Sequence, residues 1–162
     1  MKTKISIALI SLLFMMACGT SEEAKEEKPE KPETNKMRLK AFNNMYFVVI
    51  GDTAVVANQS DSAKAEVFER IDQGNGKWAL KTSTGKFLTD DAEKKHLVLA
   101  NKTQVGPAEQ FEIVKLEEGE GSQINLKAAT GKTVCANLYL GYQMIADCDK
   151  PSTWEVLTVE YK

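Results

Sequence analysis

The side chains able to carry chemistry are few in this sequence. His96 is the single histidine among 162 residues. It precedes a predicted strand and reads as a solvated loop residue, and no nucleophile, base and orienting group stand at spacings that imply a catalytic set. Asp90 and Asp91 are adjacent, whereas a glycosidase needs two carboxylates held across a cleft. The chain therefore reads as non-catalytic. Cys135 and Cys148 flank "ANLYLGYQ" with no histidine or second cysteine pair nearby, so neither a metal nor a cofactor is expected. Net charge is −2 and no Lys/Arg cluster stands out, which removes the electrostatic stripe that nucleic acid would require.

The start of the chain bears on how those cysteines are used. Two lysines, Lys2 and Lys4, frame the entry to an apolar run from Ile5 to Met16, whose 12 residues are too few for a span needing roughly 20. This is a secretory leader, 1–17. Met15-Met16-Ala17-Cys18 resembles the bacterial lipoprotein cleavage motif, which implies palmitate-type acylation of Cys18 and a membrane anchor. Each buried methylene contributes about 0.8 kcal/mol, so several acyl chains would hold the protein permanently. Gly19 after the cysteine is similar to outer-membrane sorting, so the expected location is the bacterial cell envelope, at the periplasmic or outer surface. Residues 18–36, with six Glu and four Lys, cannot bury enough surface to offset ordering and read as a solvated tether. In an exported chain Cys135 and Cys148 are expected to pair, closing a loop worth roughly 3 kcal/mol.

Residues 37–162 carry a pattern written three times. "LKAFNNMYFVV", "LKTSTGKFLTD" and "LKAATGKTVCA" each set Asn44, Gly85 or Gly131 where a tight left-handed turn is needed. "AVVAN", "LVLAN" and "QMIAD" follow, then Phe68-Glu69, Phe111-Glu112 and Trp154-Glu155. Four short strands per unit, three units, no unit able to bury its own apolar face: this predicts an all-β β-trefoil, six strands closing a barrel and three hairpins capping it. Leu39, Leu80 and Leu126 with Phe68, Phe111 and Trp154 are expected to layer its interior.

"ALKTSTGKFLT", "VVANQSDSAKAEVFE" and "LVLANKTQVGPAEQFEI" resemble the fascin-like β-trefoils, and the third unit, with its two cysteines and a late Trp, is also similar to the ricin-type ones. The resemblance implies glycan binding. Such modules commonly hold a Trp just before the Glu of Glu-x-Phe, and on this alignment those places are Ala65, Ala108 and Pro151. Binding depressions would be built by hairpin loops: Asp90, Asp91, Asn101 and Glu109 in unit two, and Asn137, Tyr139, Tyr142 and Asp147 in unit three. Tyr139 and Tyr142 stand where a hairpin tip has no core to fill and could replace the missing Trp. The expected protein is a monomer that binds a polysaccharide or, alternatively, an envelope protein for which it acts as adaptor or inhibitor.

Overall fold

The computed structural model describes residues 34–51, 53–116, 122–149 and 152–162. The expected leader, the expected lipid site Cys18 and the expected tether up to residue 33 lie outside them, as does Pro151. Among the described residues are 12 strands and no α-helix. Unit one holds β1 (Lys36–Lys40), β2 (Tyr46–Ile50), β3 (Ala54–Gln59) and β4 (Phe68–Gly74). Unit two holds β5 (Lys77–Lys81), β6 (Phe87–Asp91), β7 (Leu97–Lys102) and β8 (Phe111–Lys115). Unit three holds β9 (Ser122–Lys127), β10 (Thr133–Asn137), β11 (Gln143–Cys148) and β12 (Leu157–Tyr161).

Antiparallel pairing in the order β1, β4, β5, β8, β9, β12 and back to β1 closes a six-stranded barrel with no free edge. The remaining strands form the hairpins β2–β3, β6–β7 and β10–β11, and each hairpin also pairs with the other two. This is the β-trefoil. The turns that repeat in the sequence repeat in space: Asn44, Gly85 and Gly131 take φ of 60°, 82° and 82°, where glycine avoids the Cβ penalty and Asn tolerates it. Around each turn the N–H of Ala41, Thr82 or Ala128 donates to the carbonyl of Met45, Lys86 or Lys132.

The three units are locked to one another by a matching set of bonds. The N–H groups of Ala57, Ala100 and Ala146 donate to the carbonyls of Tyr142, Thr53 and His96 at 3.0, 2.8 and 2.8 Å, so each hairpin holds its neighbour. The three alanines are fully buried, and the small side chain is what lets the hairpins approach. The interior is layered by Leu39, Leu80 and Leu126, as expected, and also by Phe47, Leu88 and Val134.

One interior position differs from expectation. Phe68 and Phe111 are fully buried, but their partner in unit three is Leu157, also fully buried, and not Trp154, which is half-buried. The separation from the buried alanine settles the alignment: Ala57 to Phe68, Ala100 to Phe111 and Ala146 to Leu157 are each 11 residues. The link from unit two to unit three is longer by three residues than the link from unit one to unit two, since Leu126 follows Phe111 by 15 residues and Leu80 follows Phe68 by 12.

Candidate functional site

That shift re-assigns the residues of the third unit. A short 3-10 turn precedes the last strand of each unit: Ser62–Lys64, Pro107–Glu109 and Thr153–Glu155. Aligned on the 11-residue spacing from the buried alanines, the Glu-x-Phe segments are Glu66-Val67-Phe68, Glu109-Gln110-Phe111 and Glu155-Val156-Leu157. The residue before the Glu is then Ala65, Ala108 and Trp154. Pro151, assigned to that place from the sequence, is corrected to Trp154, so one of the three units does carry an aromatic ring there.

Trp154 is one of four aromatic side chains gathered where unit three meets unit one. Phe42, on the β1–β2 turn, stacks on it with centroids 5.7 Å apart and planes 14° apart. Tyr142 tilts against the other side of the group, 6.0 Å from Phe42. Tyr139 meets Trp154 edge to face at 6.2 Å. Tyr142 is partly buried against the core, while Tyr139 is 85% exposed. The turn that carries Tyr139, Leu138–Leu140, is apolar and exposed throughout. Water does not favour such a display, so a ring that is held by neighbours and open on top is a ready contact surface.

Polar residues lie on the same hairpin as Tyr139. The Asn137 side chain accepts hydrogen bonds from the N–H groups of Tyr139 and Leu140, at 2.9 and 3.2 Å, and so shapes the turn. Asp147 is exposed, 4.0 Å from Lys132, whose ammonium also bonds Asp149. The Asp149 hydrogen bond, with Asp147 adding charge, holds the lysine above the ordinary lysine range. The expected disulfide joins Cys135 to Cys148 and ties β10 to β11 where their register shifts, towards the base of the hairpin.

The unit two residues are differently placed. Asp90 is not a loop residue: it lies in β6, its side chain 4% exposed, with Oδ1 2.9 Å from His96 Nδ1. A carboxylate acceptor there puts the ring proton on Nδ1. Thr130, from unit three, donates to Asp90 Oδ2 at 3.5 Å, so this buried group bridges two units. His96 is accordingly a partnered residue, not a free loop side chain. Asp91 caps its own turn by accepting from the Lys94 N–H. Glu109 is buried and its Oε2 accepts from the Gly106 N–H at 2.7 Å. Asn101 is half-buried with Oδ1 enclosed and accepting no hydrogen bond. Of the eight residues named from the sequence, Tyr139 and Tyr142 stand at the aromatic cluster and Asn137 shapes the turn that carries Tyr139. Phe42 and Trp154 were missed; Trp154 was legible from the 11-residue spacing, whereas Phe42 comes from the far end of the chain and no local signal marks it. A separate open depression of about 340 Å³, lined among others by Lys36, Glu69, Lys81 and Ser83, sits where units one and two meet and holds no aromatic side chain.

The fold and this cluster define a β-trefoil with an aromatic surface site at a junction between units. Over residues 26–113, more than half its length, the chain matches the Fascin domain, and it belongs to that family. Solved structures agree on the fold. The chain is similar to a designed threefold-symmetric protein, ThreeFoil (15% identity, TM-score 0.65, 77% of this chain and 97% of that one). It is also similar to a BEL β-trefoil (12%, 0.66, 83% and 98%) and to SeviL bound to asialo-GM1 saccharide (10%, 0.61, 79% and 98%). No curated protein matches the chain.

Proposed function

We propose that this is a non-catalytic glycan-binding protein whose sugar site is the cluster of Phe42, Tyr139, Tyr142 and Trp154. The observation that carries the reading is Trp154, half-buried and stacked on Phe42 beside the freely exposed ring of Tyr139. A pyranose presents apolar C–H faces that pack on aromatic rings, and Asn137, at the foot of the Tyr139 turn, offers its amide N–H to a hydroxyl. The saccharide held by SeviL, which shares the fold, supports the same kind of ligand. Retention in affinity gels containing plant or envelope polysaccharides tests it: the wild-type chain is retarded, Tyr139→Ala and Trp154→Ala are not. A wild-type chain that is silent both in the gels and on a glycan array ends the proposal.

We further propose that lipid on Cys18 anchors the protein at the bacterial cell envelope, on the outer membrane, and that the charged residues between Cys18 and β1 lift the trefoil from the surface. Labelled palmitate is then incorporated by the wild-type chain and not by Cys18→Ser, and protease treatment of whole cells reports whether the trefoil faces outward. A second reading, an adaptor or inhibitor for an envelope protein, is favoured by Leu138 and Leu140, which are 41% and 48% exposed on either side of Tyr139. It expects one specific protein to crosslink to that turn and to be lost when both leucines become Ser.

A further inference from the structure

We propose that unit three contains a metal site hidden by its disulfide: once Cys135–Cys148 is opened, the two thiolates and Glu155 hold a soft divalent cation of the Zn²⁺ class. From the sequence the cysteines stand without a third ligand. The fold supplies one, because the 3-10 turn at Thr153–Glu155 brings one carboxylate oxygen of Glu155 within 4.8 Å of both sulfurs, and the three ligand atoms all lie within that distance of one another. Cys135 is 1% and Glu155 4% exposed.

The electrostatics of the opened form favour a cation. Two thiolates beside a buried carboxylate would gather negative charge where water cannot screen it, and a divalent ion relieves that charge while accepting sulfur and oxygen ligands. The geometry leaves one position of a tetrahedron for water, as in a site with three protein ligands. Unit two is an internal contrast. Glu109 has the same burial and the same bond to a backbone N–H three residues earlier, but the places of Cys135 and Cys148 hold Thr89 and Lys102. The Glu alone is a capping residue in both units, and only unit three adds sulfur.

The opening step needs an external dithiol. Its first thiolate attacks Cys148, the more accessible of the two cysteines, breaking the S–S bond and leaving Cys135 as the thiolate leaving group. The second thiol of the reductant then displaces Cys148, so the reductant leaves as its own disulfide, and two electrons and two protons have entered the protein. Cation binding releases both thiol protons to solvent.

Co²⁺ is the probe, because thiolate coordination produces charge-transfer absorption that carboxylates do not. The full chain, reduced and kept in a phosphine reductant, is expected to develop those bands and to saturate at one Co²⁺ per chain, while the oxidised chain shows none. Glu155→Gln should weaken binding about tenfold or more with the bands retained, and Glu109→Gln should leave it unchanged. Far-UV circular dichroism with and without Co²⁺ covers the case in which reduction loosens the fold, since binding then restores the strand signal. A reduced chain without thiolate bands at one equivalent overturns the proposal. So does equal binding by Glu155→Gln and Glu109→Gln.

Discussion

The junction between units three and one and the junction between units two and three share a backbone and differ in what they show to solvent. At the first stand Trp154, Phe42, Tyr139 and Tyr142; the matching places at the second are Ala108, Ala129, Glu93 and His96. Both hairpin turns are 3-10 turns capped by an Asp or Asn side chain, and both end in a left-handed residue. Asp90 lies where unit three has Ala136, so the interior of one junction is polar and bridged while the other is apolar. The frame is kept by backbone bonds between hairpins, by buried alanines and by capping carboxylates, none of which depends on the exposed side chains. Repetition thus fixes the scaffold and leaves each junction free to acquire a separate surface chemistry.

The largest expected effects test which residue of unit three is core. Leu157→Ala should cost about 2–5 kcal/mol, comparable to Phe111→Ala at about 3–5 kcal/mol, as read by chemical denaturation. Trp154→Ala should cost only about 1 kcal/mol, the worth of a surface aromatic pair, while abolishing retention by polysaccharide. Equal destabilisation by Leu157→Ala and Trp154→Ala would break the comparison, because Trp154 would then be a core residue of one junction and not its surface.

The fold was legible in the sequence because the features that repeat are those that the barrel needs. Leu39, Leu80 and Leu126, the left-handed Asn44, Gly85 and Gly131, and the buried alanines recur because each meets the same steric demand three times. The register of the last strand was misread for a physical reason also visible in the residues. Trp154-Glu155 imitates Phe68-Glu69 and Phe111-Glu112 in type, although the spacing from Ala146 is eight residues for Trp154 and 11 for Leu157. Burial selects for volume and shape, and a leucine fills the place of a phenylalanine without announcing it. Of the site, Tyr139 and Tyr142 were legible as rings on a hairpin tip, and Trp154 through its spacing from Ala146. Phe42 reaches it through closure of the barrel by β1 and β12, a contact between opposite ends of the chain.

The disulfide is the next device present at one junction alone. Removing it with the double substitution Cys135→Ser, Cys148→Ser closes no loop in the unfolded chain, and the 13-residue separation puts the loss at about 3 kcal/mol. Because the bond ties β10 to β11 within the hairpin that carries the aromatic turn, hydrogen exchange should rise first at Tyr139–Tyr142 and little at Asp91–His96. Uniform acceleration across both hairpins would show that the bond stabilises the whole trefoil without a local share in the aromatic junction.

At the polar junction the matching experiment removes His96. His96→Ala leaves the buried Asp90 carboxylate with Thr130 as its remaining partner, at 3.5 Å, and should cost about 1–3 kcal/mol. Adding Asp90→Ala, the residue type that unit three has at Ala136, should recover much of that loss, because no unpaired polar group is then buried. Additive losses in the double variant would mean that the two side chains act independently and that the junction is not built around their pair.

The smallest expected difference concerns the caps. Asn137 accepts from two N–H groups, those of Tyr139 and Leu140, whereas among the described residues Asp91 accepts from one, that of Lys94. Replacing a capping side chain by Ala costs about 1 kcal/mol, so Asn137→Ala and Asp91→Ala should each lower stability by roughly that amount, with Asn137→Ala the larger. The two should separate in function: loss of the Asn137 cap frees the backbone under Tyr139 and weakens polysaccharide retention, while loss of the Asp91 cap leaves retention unchanged. Retention that falls equally in both variants would place the sugar contact on the trefoil as a whole and erase the distinction between its junctions.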